Sequence, residues 1–98
     1  MVSASYTILP YTRRQAKKYH VYIQPSTRKY KKIDVFKDRQ KKEKLASVGD
    51  VRYMDYPNWI RTRGRSYASK RRQLYKTRHQ KTRHKVGSPS YYADVLLW

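Results

Sequence analysis

Between Asp55 and Asp94 the chain contains no acidic residue, yet Lys or Arg stands at positions 61, 63, 65, 70, 71, 72, 76, 78, 81, 83 and 85. A stretch this one-sided cannot neutralise itself. Wound into a helix, it sets like charges one turn apart, where they repel. It is therefore held in place only by packing against the rest of the chain. Its surplus charge calls for an anion from outside: a polyanion, an acidic protein surface or bulk counterions.

The rest of the chain bounds that packing. Its 98 residues allow one small domain. The formal net charge of +19 exceeds what solubility requires and points to nucleic acid, anionic lipid or an acidic assembly partner. Eleven Tyr, two Trp and one Phe argue against a disordered basic tail, because such tails are poor in aromatics. Tyr suits half-buried cores and interfaces, where its ring packs and its hydroxyl finds a partner. The absence of Cys excludes disulfides and thiolate metal sites. No apolar run reaches transmembrane length, so no membrane span is expected.

The alternation of apolar residues predicts an antiparallel meander. Tyr19 to Ile23 reads as a first strand, Tyr30 to Phe36 as a second, and Lys44 to Val48 as a third stopped by Gly49-Asp50. Pro25-Ser26-Thr27 supplies turn chemistry between the first two. Residues 1–18 lack a clear period, and Pro10 argues against a helix there, so they read as an extended basic N-terminal arm carrying Arg13, Arg14, Lys17 and Lys18. Residues 19–98 form a single small domain on this reading.

In the second half, Asn58 is a candidate cap for a short turn ended by Gly64. Ser66 is a candidate cap for the main helix, Tyr67 to His84. At 100° per residue, Tyr67, Leu74 and Tyr75 share a narrow apolar stripe with Arg71 and Arg78. The two arginines are expected to be structural, with Asp55 as their first carboxylate partner. Arg65, Arg72, Lys76 and Arg83 fall on the opposite side and form the expected partner-binding ridge. Ser88-Pro89 begins a short C-terminal helix, with the cap followed by Pro at the first helical position. Its end, Leu96-Leu97-Trp98, is apolar enough that it is expected to be buried. The expected fold is α+β: a small antiparallel β-meander packed by one long basic helix and a short C-terminal helix.

Catalytic and metal chemistry find no support in the residues. His79 and His84 lie five apart, about 140° round a helix, and do not converge as an i,i+4 pair would. None of the six acids sits beside a His or Ser in a catalytic spacing, and no Gly-rich phosphate loop is present. No enzyme activity, cofactor, metal or small-molecule substrate is expected.

Four features occur in order from Tyr30 onward: a strand ending in Val48-Gly49, then Asp55-Tyr56, then Arg72-x-x-Tyr75-x-x-Arg78-His79 in a basic helix, then Tyr91-Tyr92-Ala93 leading to Leu96-Leu97-Trp98. In these the chain resembles a family of short, basic, Tyr-rich proteins of nucleocytoplasmic large DNA viruses. The resemblance implies a viral setting. It makes the expected function that of a structural virion component, a minor or internal capsid protein whose partners are capsid proteins or other acidic surfaces. The alternative is a protein that condenses or escorts viral DNA. A ribosomal-type RNA-binding protein also matches the composition.

Overall fold

The computed structural model describes residues 6–98. The elements run α1 (Pro10–Lys18), β1 (Tyr22–Pro25), β2 (Lys31–Phe36), β3 (Lys44–Asp50), α2 (Tyr56–Arg78) and α3 (Pro89–Leu97). The fold is α+β. The three strands form one antiparallel sheet in the order β1-β2-β3. Register pairs Ile23 with Val35 and Ile33 with Val48, which gathers these side chains and Ala46 on one face. A bulge between Val35 and Phe36 shifts the register, so that Phe36 meets Lys44.

The central cluster joins that face to Tyr92, Val95, Leu96 and Leu97 of α3, with Ile8 and Ala16 from the N-terminal side. The C-terminal helix, and not the long basic one, therefore covers the sheet. α2 contributes no residue to the cluster and packs chiefly on α3. The reason lies in composition. α3 is the most apolar segment of the chain, and burying each large apolar side chain is favourable by about 1.5–3 kcal/mol. The narrow stripe of α2 offers far less. Ser88 caps α3 by accepting the Tyr91 N–H, with Pro89 at the start of the helix.

Two boundaries differ from the sequence expectation. The extended N-terminal arm is instead helical over Pro10–Lys18, and its first five residues lie outside the described ones. Pro10 begins this helix and does not block it, because the first turn has no intrahelical use for the N–H that Pro lacks. Thr12 and Ala16 are buried, and Gln15 Nε2 donates to the Val95 carbonyl at 2.9 Å, so α1 is docked on α3. β1 then starts at Tyr22 and not at Tyr19. Tyr19 closes α1, His20 takes a left-handed backbone conformation, and the Val21 N–H returns to the Ala16 carbonyl.

The long helix also differs. It begins at Tyr56, capped by Asp55 and not by Asn58 or Ser66, and Gly64 (φ 86°, ψ 169°) breaks it into two segments. Gly tolerates that conformation where other residues are strained. The helix ends at Arg78, before the expected His84. Lys81, Arg83 and Lys85 would extend a run of like charges with no acid one turn away to offset them.

Gly49 (φ 80°) sits at a close approach of β3 to β2 and α3. A Cβ there would sit 2.8 Å from Leu97 Cδ1 and 2.9 Å from Lys32 Cδ. The left-handed backbone alone costs a Cβ-bearing residue about 1–2 kcal/mol. Gly49→Ala should therefore lower stability by at least that amount in urea titration, and more if Leu97 cannot yield.

Asp34 gives a second expectation. Its carboxylate is buried and accepts from Ser26 Oγ and Ser47 Oγ, both at 2.6 Å, and from the Thr27 N–H at 3.3 Å. Burial pushes this carboxyl up, but the hydrogen bonds and the Lys44 ammonium outweigh it, and the group titrates below its ordinary 3.8. A depressed carboxyl contributes stability above its unfolded value and loses that contribution as pH falls through the folded one. Asp34→Asn should cost about 1.5–3 kcal/mol at pH 7. The gap to wild type should close as melting is repeated below pH 3.8.

Candidate functional site

The placement of charge decides what this molecule can bind, and it begins with the six acids. Asp55 is fully buried. It accepts from Lys32 Nζ at 2.8 Å, Tyr6 Oη at 2.5 Å and Asn58 Nδ2 at 2.8 Å, while capping α2 through the Asn58 N–H. Burial, reinforced by this carboxylate, pushes the Tyr6 hydroxyl far above its ordinary range. Asp94 on α3 is buried and holds Lys76 Nζ at 2.7 Å and Arg83 Nη1 at 3.6 Å. Asp34 holds the β1–β2 turn to β3, with Lys44 Nζ at 3.6 Å.

The three exposed or half-exposed acids are also engaged. Asp38 accepts the Lys42 and Glu43 N–H groups, and the bond from Glu43 holds its carboxyl below the usual range. Asp50 takes the Arg52 guanidinium at 2.7 Å, which brings its carboxyl down to about 2. Glu43 lies 3.8 Å from Lys37.

This arrangement turns α2 relative to the sequence expectation. Of the expected ridge, only Arg65 is exposed. Arg72, Lys76 and Arg83 are half-buried and face the C-terminal helix: Arg72 Nε donates to the Trp98 carbonyl at 2.6 Å, and the other two meet Asp94. Leu74, placed on the apolar stripe, is 53% exposed, and Arg78 is exposed. The expected pairing of Arg71 and Arg78 with Asp55 does not occur, because Lys32 occupies that carboxylate. Arg71 instead lies 5.3 Å over the Trp59 ring.

The physical reason is that the apolar stripe was too narrow to set the rotation. The single carboxylate of α3 and the stacking surface of Trp98 set it instead. Tyr75 is buried between two rings, Trp98 at 4.5 Å and His79 at 4.3 Å. Burial, with Asp94 nearby, pushes its hydroxyl up to about 12. Tyr67 leans on Trp59 at 5.1 Å under the Arg63 guanidinium. Leu96 and Leu97 are fully buried and Trp98 is half-buried.

The cations that remain free lie elsewhere. Six of the 25 basic residues make salt bridges, and the remaining 19 make none among the described residues. On α1, Arg13, Arg14, Lys17 and Lys18 are all exposed. Two open clefts of about 470 Å³ flank this helix. One, toward β1, collects Arg13, Lys17, Arg39 and Lys41. The other, toward α2, has a floor that includes Tyr11, Tyr56 and Ile60, with Arg14, Arg61 and Arg65 around it. Neither cleft contains a carboxylate.

Comparison with protein-family models, curated proteins and solved structures returned no match to this chain. The chemistry must therefore be read from the side chains. The three buried carboxylates are each surrounded by donors from the chain itself, so they serve the fold. Among the described residues no three His, Cys, Asp or Glu side chains gather into a possible metal site, and no helix is long and apolar enough to cross a membrane. What the surface offers is positive charge without carboxylate partners among the described residues.

Sequence reading missed four contributors. Tyr6 and Lys32 escaped because nothing local marks a Tyr or Lys as the partner of a distant Asp. Strand parity held the one available clue, since Lys32 and Asp34 alternate with the core residues Ile33 and Val35. Arg39 and Lys41 escaped because nothing local marks which cations of the β2–β3 loop fold toward α1.

The buried pair and the outward arginine should behave oppositely. Lys32→Met leaves Asp55 without its ammonium, and breaking a buried pair this way costs about 3–5 kcal/mol. Arg78→Ala should change stability by less than about 0.5 kcal/mol, as surface substitutions do. Chemical denaturation of both variants checks the contrast.

Proposed function

We propose that this protein is a non-enzymatic structural component of a large DNA virus particle, a minor or internal capsid protein that bridges acidic surfaces. One observation carries the binding half of this reading. All six carboxylates are engaged within the chain, while 19 cations on several elements make no salt bridge among the described residues. A molecule in this state repels its own copies and gains free energy from whatever acidic surface covers it. Because free cations stand on α1, on both hairpin loops and on α2, more than one partner surface can be engaged at once. The viral half rests on the sequence resemblance from Tyr30 to Trp98. Its setting is the virion, assembled in the infected host cell.

A second reading, condensation or escort of viral DNA, is supported by the spread of those cations over α1, both hairpin loops and α2, since a wrapped polyanion meets charge on more than one side.

Quantitative mass spectrometry of purified particles separates the readings. A fixed copy number per capsid, unchanged between particles holding genomes of different length, is the expected result. A copy number that scales with genome length would favour the DNA reading. Absence from purified particles would overturn both.

A further inference from the structure

The cleft between α1 and the sheet edge concentrates charge that its own segments could have neutralised. Arg13 and Lys17 stand one turn apart on α1 and face it together. Arg39 and Lys41 reach it from the β2–β3 loop, and His20 from the turn after α1. Two acids belong to that same loop, and both are held elsewhere. Asp38 accepts the Lys42 and Glu43 N–H groups at 2.8–3.1 Å, and Glu43 lies beside Lys37. Asp38 also offers its carbonyl to the Lys41 N–H at 3.1 Å, and Lys41 adopts a left-handed backbone conformation at φ 58°. The loop is thus folded about its own carboxylate, which leaves Arg39 and Lys41 unpaired beside two further unpaired cations.

The cleft is also not wholly polar. Ala16 and Ile23, both buried, lie in its wall, and Tyr22, a residue 40% exposed, lines it with the cations. A set of cations beside an exposed aromatic residue suits a chain that alternates phosphate and base. The phosphates meet the guanidinium and ammonium groups, and a base stacks on the ring. Duplex DNA keeps its base faces hidden and would leave Tyr22 unused. An acidic peptide satisfies the cations but brings no planar group in register with its charges.

We infer that the cleft formed by α1, β1 and the β2–β3 loop is a binding site for single-stranded nucleic acid, with phosphates held by Arg13, Lys17, Arg39 and Lys41 and a base stacked on Tyr22. The inference goes beyond the capsid reading and does not depend on it, since it rests on this cleft alone.

The test is fluorescence anisotropy of a labelled 15-mer of deoxythymidine with the full chain at several salt concentrations. The binding constant should fall with salt by a log–log slope of about 0.7 for each phosphate neutralised. Arg39→Ala with Lys41→Ala should lower that slope by about 1.4, and Arg13→Ala with Lys17→Ala by a similar amount. Tyr22→Leu should weaken binding roughly 5- to 150-fold with the slope unchanged, as loss of one stacked base does. Arg78→Ala with Lys81→Ala, two exposed cations outside the cleft, is the charge control and should leave affinity close to wild type. All the substituted side chains are exposed, and circular dichroism melts should confirm unchanged folding.

Three outcomes would overturn the site. In one, the control variant lowers the slope as much as the cleft variants, which means diffuse charge. In another, a duplex of equal length binds more tightly than the single strand. In the third, a 15-residue polyglutamate competes as well as the oligonucleotide with equal sensitivity to Tyr22→Leu, which assigns the cleft to acidic protein.

Discussion

The fold depends on where a very basic chain places its few negative charges. Asp55 is the clearest case. It draws the N-terminal Tyr6, the β2 residue Lys32 and the first turn of α2 to one buried point. A carboxylate taken out of water is costly unless it is paired and fully hydrogen-bonded, and these donors meet both conditions. Gly49 completes the arrangement from β3 by leaving room for the Lys32 stem. Asp34 and Asp94 repeat the device, the first across the hairpins and the second between α3 and α2. Three buried carboxylates therefore link segments that the small apolar cluster alone would hold weakly.

The same economy of acids shapes the exterior. A surface with mixed charges screens itself; this one does not, because its few negative groups face inward, close local turns or are taken by a neighbouring cation. The surplus positive charge is a result of how the interior is built, and it is not confined to one decorated face. It also accounts for the orientation of α2. Three of the four cations that helical spacing sets on an outward ridge turn inward, Lys76 and Arg83 to the Asp94 carboxylate and Arg72 to the Trp98 carbonyl.

What could be read from the sequence divides along physical lines. Local alternation marked the second and third strands, since Ile33, Val35, Ala46 and Val48 carry a period that only a strand satisfies. Ser88-Pro89 marked the start of α3 because cap chemistry is local. Pro10 was misleading for the converse reason: the same ring ends a helix on its N-terminal side and opens one on its C-terminal side, and docking on α3 selects the second. The rotation of α2 was equally hidden, because it is set by Asp94 and Trp98, 18 and more residues away in sequence. The surplus of charge was evident from composition. Its gathering into a cleft by Arg39 and Lys41 was not, because that depends on how a loop closes around Asp38.

The break at Gly64 has a consequence for observing this molecule. The chain has two tryptophans, and each sits at a different mechanical joint. Trp59 belongs to the first segment of α2 and packs across the break on Tyr67, beneath Arg71 of the second segment. Trp98 lies parallel to Tyr75, at the seam between the second segment and α3. Indole emission responds to the charges and rings around it. With one tryptophan retained at a time, the protein carries an optical reporter of its own bend and another of its own seam, with no label added.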